Sequence, residues 1–220
     1  MSSNKTIKEG NRKILIAFLF LNLLLFLAFS LKYSLSLDLF SQWKEIFDTK
    51  YLFLIILYIL VILVEGVLSS DIKAKIVFLK FKNPLPGSRS FSAIAKNDSR
   101  INLEELKTKI DKIPQKPEEQ NNLWYKIYRD YSERPIVYQS HKFFLLTRDL
   151  ATITLFVITV SFFGYFFLDF TFGKAIIHFL ILVSILLLTI MSSQNYGKRF
   201  VANVLVEFLN DNKNEKISNS

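Results

Sequence analysis

The chain has 220 residues, 51% of them hydrophobic, and its 28 Lys and Arg against 19 Asp and Glu give a net charge of +9. It contains no cysteine, which excludes disulfides, thiolate metal sites and thiol redox chemistry. Only two histidines are present, His141 and His178, so the chain has few imidazole groups for acid–base catalysis or metal binding. We therefore expect no metal and no cofactor.

Four mostly apolar blocks dominate the sequence. A helix of about 18 or more mostly apolar residues can cross ~30 Å of hydrocarbon. A soluble domain that buried four such helices would need a far larger polar coat than this chain carries, and no segment shows strand-like alternation. The sequence therefore predicts an all-α membrane protein with transmembrane helices at 14–31, 51–68, 149–168 and 175–191.

The first block follows four basic residues, so a cleaved signal peptide is the alternative to a membrane span. The apolar core of a signal peptide usually has about 7–15 residues and is followed by small residues for cleavage. This block is longer, and the stretch Phe29–Tyr33 offers no A-x-A pattern. We expect a retained membrane helix.

The basic residues predict the topology. Twenty-four of the 28 lie in the two tails and in the stretch between the second and third blocks. Because Lys and Arg near the ends of spans are retained on the cytoplasmic side, we expect these three segments to be cytosolic. The spans then form two antiparallel hairpins, with a cytosolic basic tail (1–13), an external interfacial segment (32–50), a cytosolic helical region (69–148), an external turn (169–174) and a cytosolic amphipathic helix with a disordered tail (192–220).

The same distribution indicates the partners and the location. Basic residues that flank membrane helices are attracted to anionic headgroups, so we expect a lipid surface rather than nucleic acid as their partner. The densest run, IKAKIVFLKFK (72–82), predicts that the second span continues as an amphipathic helix along the lipid. The pattern fits a multi-pass protein of the bacterial inner membrane.

The cytosolic region reads as three helices. Asn102 with Glu105 resembles a capping box at the start of the first, Pro117 with Glu118 and Glu119 suits the start of the second, and a third begins after Pro135 and enters the membrane without a break. The region is poor in aliphatic residues, so we expect it to need the membrane, another copy or a partner to bury its aromatic stripe. The candidate partner-docking residues in this stripe are Trp124, Tyr125, Tyr128 and Tyr131.

Charged residues at the cytosolic ends of the second and third spans predict a structural or gating cluster. Ionisable residues inside a span are costly and usually paired. Glu65 with Arg148 is the expected pair, Asp149 is a second acceptor, and His141 lies on the same helical face as Arg148, one heptad earlier. The cluster would tie the second span to the third, or would only anchor helices at the interface.

A turn in the cytosolic region is the one candidate for ligand binding. Gly87 and Ser88 could supply backbone donors to a phosphate, and Arg89 and Arg100 could supply guanidinium groups; a solvated Gly-Ser turn has the same sequence. No P-loop, dinucleotide fingerprint, zincin motif or nucleophile elbow occurs.

Three functions remain. The first is a non-enzymatic membrane effector, in bacterial stress or antiviral (phage) defence, whose cytosolic region senses a signal and whose spans perturb or gate the membrane. Since four thin apolar helices could line a conduit only together with other copies, this function implies a homo-oligomer. The second is an anchor or receptor that recruits a cytosolic protein, and the third is a lipid-headgroup enzyme using Arg148, Asp149 and His141.

Overall fold

The structure is a computed structural model that describes residues 7–30, 49–110, 112–168 and 170–218, with the side chains of Lys8 and of residues 212–218 left undescribed. Every regular element within these ranges is helical, which confirms the all-α prediction. The chain divides into two compact units. We call them the span unit (within 1–69 and 148–190) and the polar unit (within 70–147 and 191–220). The predicted external segment 32–50 lies almost wholly outside the described residues.

Within the described ranges, four helices are long and apolar enough to cross a membrane, as predicted. They are α1 (Ile7–Ser30), α2 (Thr49–Val67), α6 (Pro135–Phe167) and α7 (Phe172–Ser218). Pro135 stands at the first position of α6, where its missing N–H costs no hydrogen bond. Since α6 and α7 are unbroken, each contributes residues to both units.

The span unit packs through a small set of contacts between its helices. Its core consists of Leu19, Phe26, Leu54, Tyr58, Val61, Ile153, Val157, Leu168 and Leu182. Phe26 is fully buried, and Gly164 of α6 lies so close to it that a Cβ there would meet the Phe26 ring at 2.6 Å. Most other large apolar side chains of these helices are exposed. Such surfaces require a non-aqueous surrounding.

The four spans are covered to different degrees by the chain itself. In the most apolar window of α6, 39% of the residues are buried, whereas in that of α7 only 11% are. Among the four windows, that of the third span therefore has the largest share of buried residues and that of the fourth span the smallest.

The polar unit begins with a separate helix, α3 (Ser70–Phe78), so the prediction that the second span continues through this run is wrong. α2 ends at Val67, and the chain is not helical at Leu68 and Ser69. α3 turns Ala74 and Val77 inward as core residues rather than presenting them to lipid. Leu79, which follows α3, has a φ of 51°. This is the left-handed conformation usually taken by Gly after a helix, and it costs an L residue of the order of 1 kcal/mol.

The rest of the polar unit consists of short helices, followed in the chain by the parts of α6 and α7 that belong to this unit. Residues Pro86–Arg89 form a 3-10 turn, Ser90–Ile94 a π-helical turn and Ala95–Asn97 a further helical turn. They are followed by α4 (Leu103–Lys109) and α5 (Pro117–Tyr131). The predicted N-cap of α4 is confirmed, because the Asn102 side chain accepts hydrogen bonds from the backbone N–H groups of Glu104 and Glu105 at 3.0 and 3.3 Å.

The end of α7 completes the core of the polar unit. The predicted amphipathic face is confirmed, since Phe200, Val201, Val204, Leu205 and Leu209 are all buried in one cluster with α4, α5 and α6 residues. The helix extends to Ser218, through most of the segment that we expected to be disordered. It supplies the apolar surface that the other helices of the polar unit lack.

Candidate functional site: a basic pocket in the polar unit

The predicted charge cluster is assembled in part. Arg148 and Asp149 are 2% and 6% exposed, and the Arg148 guanidinium donates from Nε and Nη2 to Asp149 Oδ1 at 3.0 and 2.9 Å. Glu65 is buried in α2 of the same unit. The pairing of Glu65 with Arg148 stays a prediction, which charge reversal of each residue and of both together would test. The contact between Arg148 and Asp149 occupies the carboxylate, so Asp149 is not poised as a free general base.

His141 belongs to the polar unit and is held by aromatic residues. Its ring stacks on Phe200 with a centroid separation of 4.4 Å and an interplanar angle of 4°. Its Nδ1 lies 3.0 Å from the Tyr128 hydroxyl. These contacts tie α5 and α6 to α7 inside the polar unit, which is a packing role.

The predicted docking stripe is largely used within the polar unit. Trp124 is 6% exposed, donates from Nε1 to the Val201 carbonyl oxygen at 3.3 Å, and packs its ring edge to face against Phe200. The expectation that this tryptophan needs the membrane, another copy or a partner to be buried is therefore wrong. The C-terminal part of α7 covers it.

The tyrosines of the stripe differ in their exposure. Tyr128 and Tyr131 are half-buried, and the Tyr131 hydroxyl donates to Asp211 at 3.0 Å. Burial, followed by this hydrogen bond, raises the pKa of Tyr131 to about 12. Tyr125 is exposed. Docking through this stripe without opening the unit would depend chiefly on Tyr125.

The predicted phosphate turn is not arranged as we expected, because Gly87 and Ser88 are buried. A Cβ on Gly87 would lie 2.5 Å from Asn121 Oδ1 and 2.7 Å from Trp124 Cε3. The glycine therefore allows the turn to pack closely against α5. Its backbone is not presented to a ligand.

Arg100 is engaged by neighbouring side chains instead of being open to an anion. Its Nε and Nη2 donate to Asp98 Oδ1 and Oδ2 at 2.9 and 2.7 Å, and its Nη1 donates to Asn203 Oδ1 at 2.9 Å. The hydrogen bonds from Arg100 hold the pKa of Asp98 below its ordinary value. Of the four residues in the predicted anion site, Arg89 alone lines the pocket described next.

Arg89 lines a pocket of about 490 Å³ that lies wholly within the polar unit. Three further cations, Lys80, Lys198 and Arg199, line the same pocket. The other lining residues are Phe78, Pro86, Ala93, Ile94, Asn97, Asp98, Gln194 and Ala202. The pocket thus combines a basic wall with an apolar one.

Three segments position the lining residues: the end of α3, the consecutive helical turns between Pro86 and Asn97, and α7. Phe78 ends α3 and Lys80 follows it, and the Phe78 ring also packs against Phe144. α7 brings Gln194, Lys198, Arg199 and Ala202, which recur at intervals of about one helical turn and so share a face. Gln194 donates from Nε2 to the Val77 carbonyl oxygen at 2.8 Å and so joins α7 to α3 beside the pocket.

The pocket was not predicted as a site. Lys80 and the Lys198–Arg199 pair were interpreted only as headgroup contacts, and they are more than a hundred residues apart in the sequence. Lys198 and Arg199 next to a buried apolar stripe were the available signal. Their partner segment could not be identified from the sequence.

The span unit contains polar contacts that were predicted only in outline. The Tyr165 hydroxyl of α6 lies 2.6 Å from His178 Nδ1 of α7, and the Tyr58 hydroxyl of α2 lies 3.0 Å from the Ser161 hydroxyl of α6. The interpretation of His178 as a contact between helices is therefore confirmed. Its Nε2 is buried and has no hydrogen-bond partner among the residues that the structure describes.

Over the described ranges, no group of three or more His, Asp or Glu side chains lies close enough together to hold a metal ion. Comparison of the chain with protein-family models, with curated proteins and with solved structures gave no match. The basic pocket, with four cations in its lining, is the candidate ligand site of the polar unit.

Proposed function

We propose that the protein is a non-enzymatic multi-pass membrane effector. Its polar unit senses an anionic signal or partner, and its spans, assembled from several copies, perturb or gate the membrane. The setting we propose is the bacterial inner membrane, in a stress or phage-defence response. Both termini and the polar unit would face the cytosol, with the spans arranged as two antiparallel hairpins.

The basic pocket is the observation that carries this proposal. Its basic wall is made in part by Lys198 and Arg199 of α7, and the same unbroken helix supplies the fourth apolar span. A ligand that contacts these residues would act directly on a helix that also belongs to the span unit. Because the helix is continuous, a movement caused by ligand binding can be transmitted along α7 to the membrane span.

Exposed apolar surface supports the assembly of several copies. The fourth span leaves Ile177, Leu180, Leu187 and Leu188 at least half exposed. Packing of such faces against each other is one way for thin spans to enclose a conduit. Lipid contact satisfies the same surface, so the assembly needs its own test.

The anchor or receptor function is the alternative. It now depends on Tyr125, which is exposed on α5, because Trp124 is buried. The lipid-headgroup enzyme is less well supported, since Asp149 accepts from Arg148 and His141 is stacked on Phe200. Neither group is free to exchange protons with a substrate in this arrangement.

Induced expression in a bacterial host tests the effector function. We expect growth arrest together with loss of membrane potential, measured with a potential-sensitive dye. Native mass spectrometry of the protein in nanodiscs should show more than one copy. Normal growth and potential at high expression, with a soluble protein that co-purifies stoichiometrically, would favour the anchor instead.

Reporter fusions test the topology independently. A reporter fused after Lys50 should respond from outside the cytosol, and one fused after Lys116 should respond from the cytosol. Responses from the same side would contradict the four-span arrangement.

A further inference from the structure

We propose that the basic pocket of the polar unit binds a phosphate-bearing ligand that also carries an apolar portion. This inference rests on the proposed sensing function and names the chemical class of the signal. All the residues that would contact this ligand belong to the polar unit.

Within the part of the chain that the structure describes, the four cations of the pocket have no carboxylate partner. Lys80, Lys198 and Arg199 are exposed and Arg89 is half-buried. Throughout the described ranges none of them makes an ion pair, whereas Lys75, Lys107, Lys116 and Arg134 of the same unit each have an acidic partner within 4.0 Å. Like charges that converge without neutralisation favour an anion between them.

Arg89 is the pocket cation that is least exposed to solvent, and so the one that gains most from an anionic ligand. Its guanidinium carbon lies 5.3 Å from the centroid of the Phe78 ring, and this cation–π contact is its one polar interaction with the described residues. Burial lowers the pKa of Arg89 below its ordinary value. A phosphate could accept two parallel hydrogen bonds from this guanidinium and restore part of the lost solvation.

The single carboxylate in the pocket does not cancel the basic wall. Both oxygens of Asp98 accept from Arg100, which is a cation outside the pocket lining. The Asp98–Arg100 pair is therefore close to neutral, and four positive charges remain. Asn97 adds an amide that can hydrogen-bond to a ligand hydroxyl or ester group.

The size and lining of the pocket indicate what the ligand carries besides its phosphate. A volume of about 490 Å³ lies in the range of small-molecule sites, which run from ~300 to ~1,000 Å³. Phe78, Pro86 and Ile94 form the apolar wall of the pocket. Inorganic phosphate alone would leave this wall uncovered, so a base, an aromatic group or a lipid glycerol backbone is expected beside the phosphate.

Two sources supply this chemistry: a soluble phosphorylated metabolite and a phospholipid headgroup. The loop after α3 argues for the lipid, because Leu79 and Phe81 are 74% and 90% exposed and alternate with Lys80 and Lys82. Leu79 is also held at a positive φ, where an exposed leucine has no local advantage. Basic residues alternating with exposed apolar ones are typical of segments that enter a headgroup layer.

Binding can be measured on the full chain without any assay of membrane permeability. We expect isothermal titration calorimetry of the protein in phosphatidylcholine nanodiscs to detect saturable binding of ATP, used as a soluble phosphate probe, if the source is soluble. If the source is lipid, ATP should not bind, and nanodiscs containing phosphatidic acid should raise the melting temperature of the protein relative to pure phosphatidylcholine. Either outcome should depend on the pocket.

Matched variants identify the pocket as the site. Arg89→Gln and Arg199→Gln should each weaken binding of the effective probe about tenfold, since each removes a forked pair of charge-assisted hydrogen bonds. Arg129→Gln removes the same charge from an exposed position of α5 that does not line the pocket, and should leave binding unchanged. Lys198→Gln changes an exposed residue of the pocket and replaces the half-buried Arg89 variant as a test if that variant does not fold.

The proposal is overturned if neither probe has any effect, or if Arg129→Gln reduces the effect as much as the two pocket variants do. Failure of the proposed function looks different. In that case the pocket would bind its probe with the expected variant pattern, while induced expression would leave the membrane potential unchanged. Loss of potential that is indifferent to the pocket variants would keep the effector and remove the ligand.

Discussion

Replacing Gly87 by alanine should destabilise the polar unit, because the new methyl group has no room. The added Cβ would lie 2.5 Å from Asn121 Oδ1 and 2.7 and 3.3 Å from two carbons of the Trp124 ring. The asparagine amide is the end of a flexible side chain and can rotate away. The indole cannot, because it donates a hydrogen bond to Val201 and packs on two aromatic rings, those of Tyr128 and Phe200.

The magnitude follows from this contact. Inserting a methylene-sized group into a packed core typically costs about 1–3 kcal/mol. For a chain of this size, 1 kcal/mol corresponds to roughly 2–4 °C in melting temperature. We therefore expect Gly87→Ala to melt roughly 2–12 °C below the wild type in the same detergent. In a Trp43→Phe background the fluorescence of Trp124, then the sole tryptophan, should report the disturbance directly.

The matched control is Gly66→Ala in α2, where a Cβ would meet nothing within 4 Å. Alanine has the higher helix propensity, so this variant should melt at or above the wild-type temperature. If Gly87→Ala behaves like Gly66→Ala, then Gly87 does not serve close packing. The assignment of the turn as a structural contact of α5 would then be wrong.

Three further predictions concern polar contacts. Asp149→Asn removes a carboxylate from the buried Arg148 guanidinium and should cost of the order of 3 kcal/mol, measured by thermal unfolding in detergent; Arg148→Met with Asp149→Leu should recover most of it. Tyr165→Phe removes the hydroxyl beside His178 and should cost about 1–3 kcal/mol, which a second change, His178→Leu, should partly restore; additive losses would refute the coupling. The hydrogen bonds from Arg100 lower the pKa of Asp98 in the folded state. The Asp98–Arg100 pair therefore stabilises the fold above the ordinary pKa of 3.8, and this stabilisation is lost as the pH falls below that value. Asp98→Asn should therefore flatten the acid dependence of the melting temperature, and an unchanged slope would contradict the pairing.

Features governed by neighbouring residues were predictable from the sequence. The four apolar helices follow from run length alone, and the starts of α4, α5 and α6 follow from Asn102, Pro117 and Pro135. The signals for the helix starts act within about one helical turn, and each apolar run lies within a single helix. Tertiary structure does not have to be known for any of them.

The candidate site depends on contacts between distant residues, and there the sequence was insufficient. Whether Trp124 faces a partner or the core is decided by Val201 and Phe200, more than seventy positions later. Arg100 is the instructive exception, because Asp98 stands two residues before it and accepts hydrogen bonds from its Nε and Nη2. A nearby acid was a local signal that the guanidinium would be occupied.

The thin covering of the fourth span has a consequence for biogenesis. With 11% of its apolar window buried by the rest of the chain, α7 gains little shelter from folding alone. A newly made chain would present this oily surface to water unless an insertase or lipid received it during translation. Cell-free synthesis should accordingly yield precipitate in plain buffer and dispersed protein when nanodiscs are supplied from the first minutes.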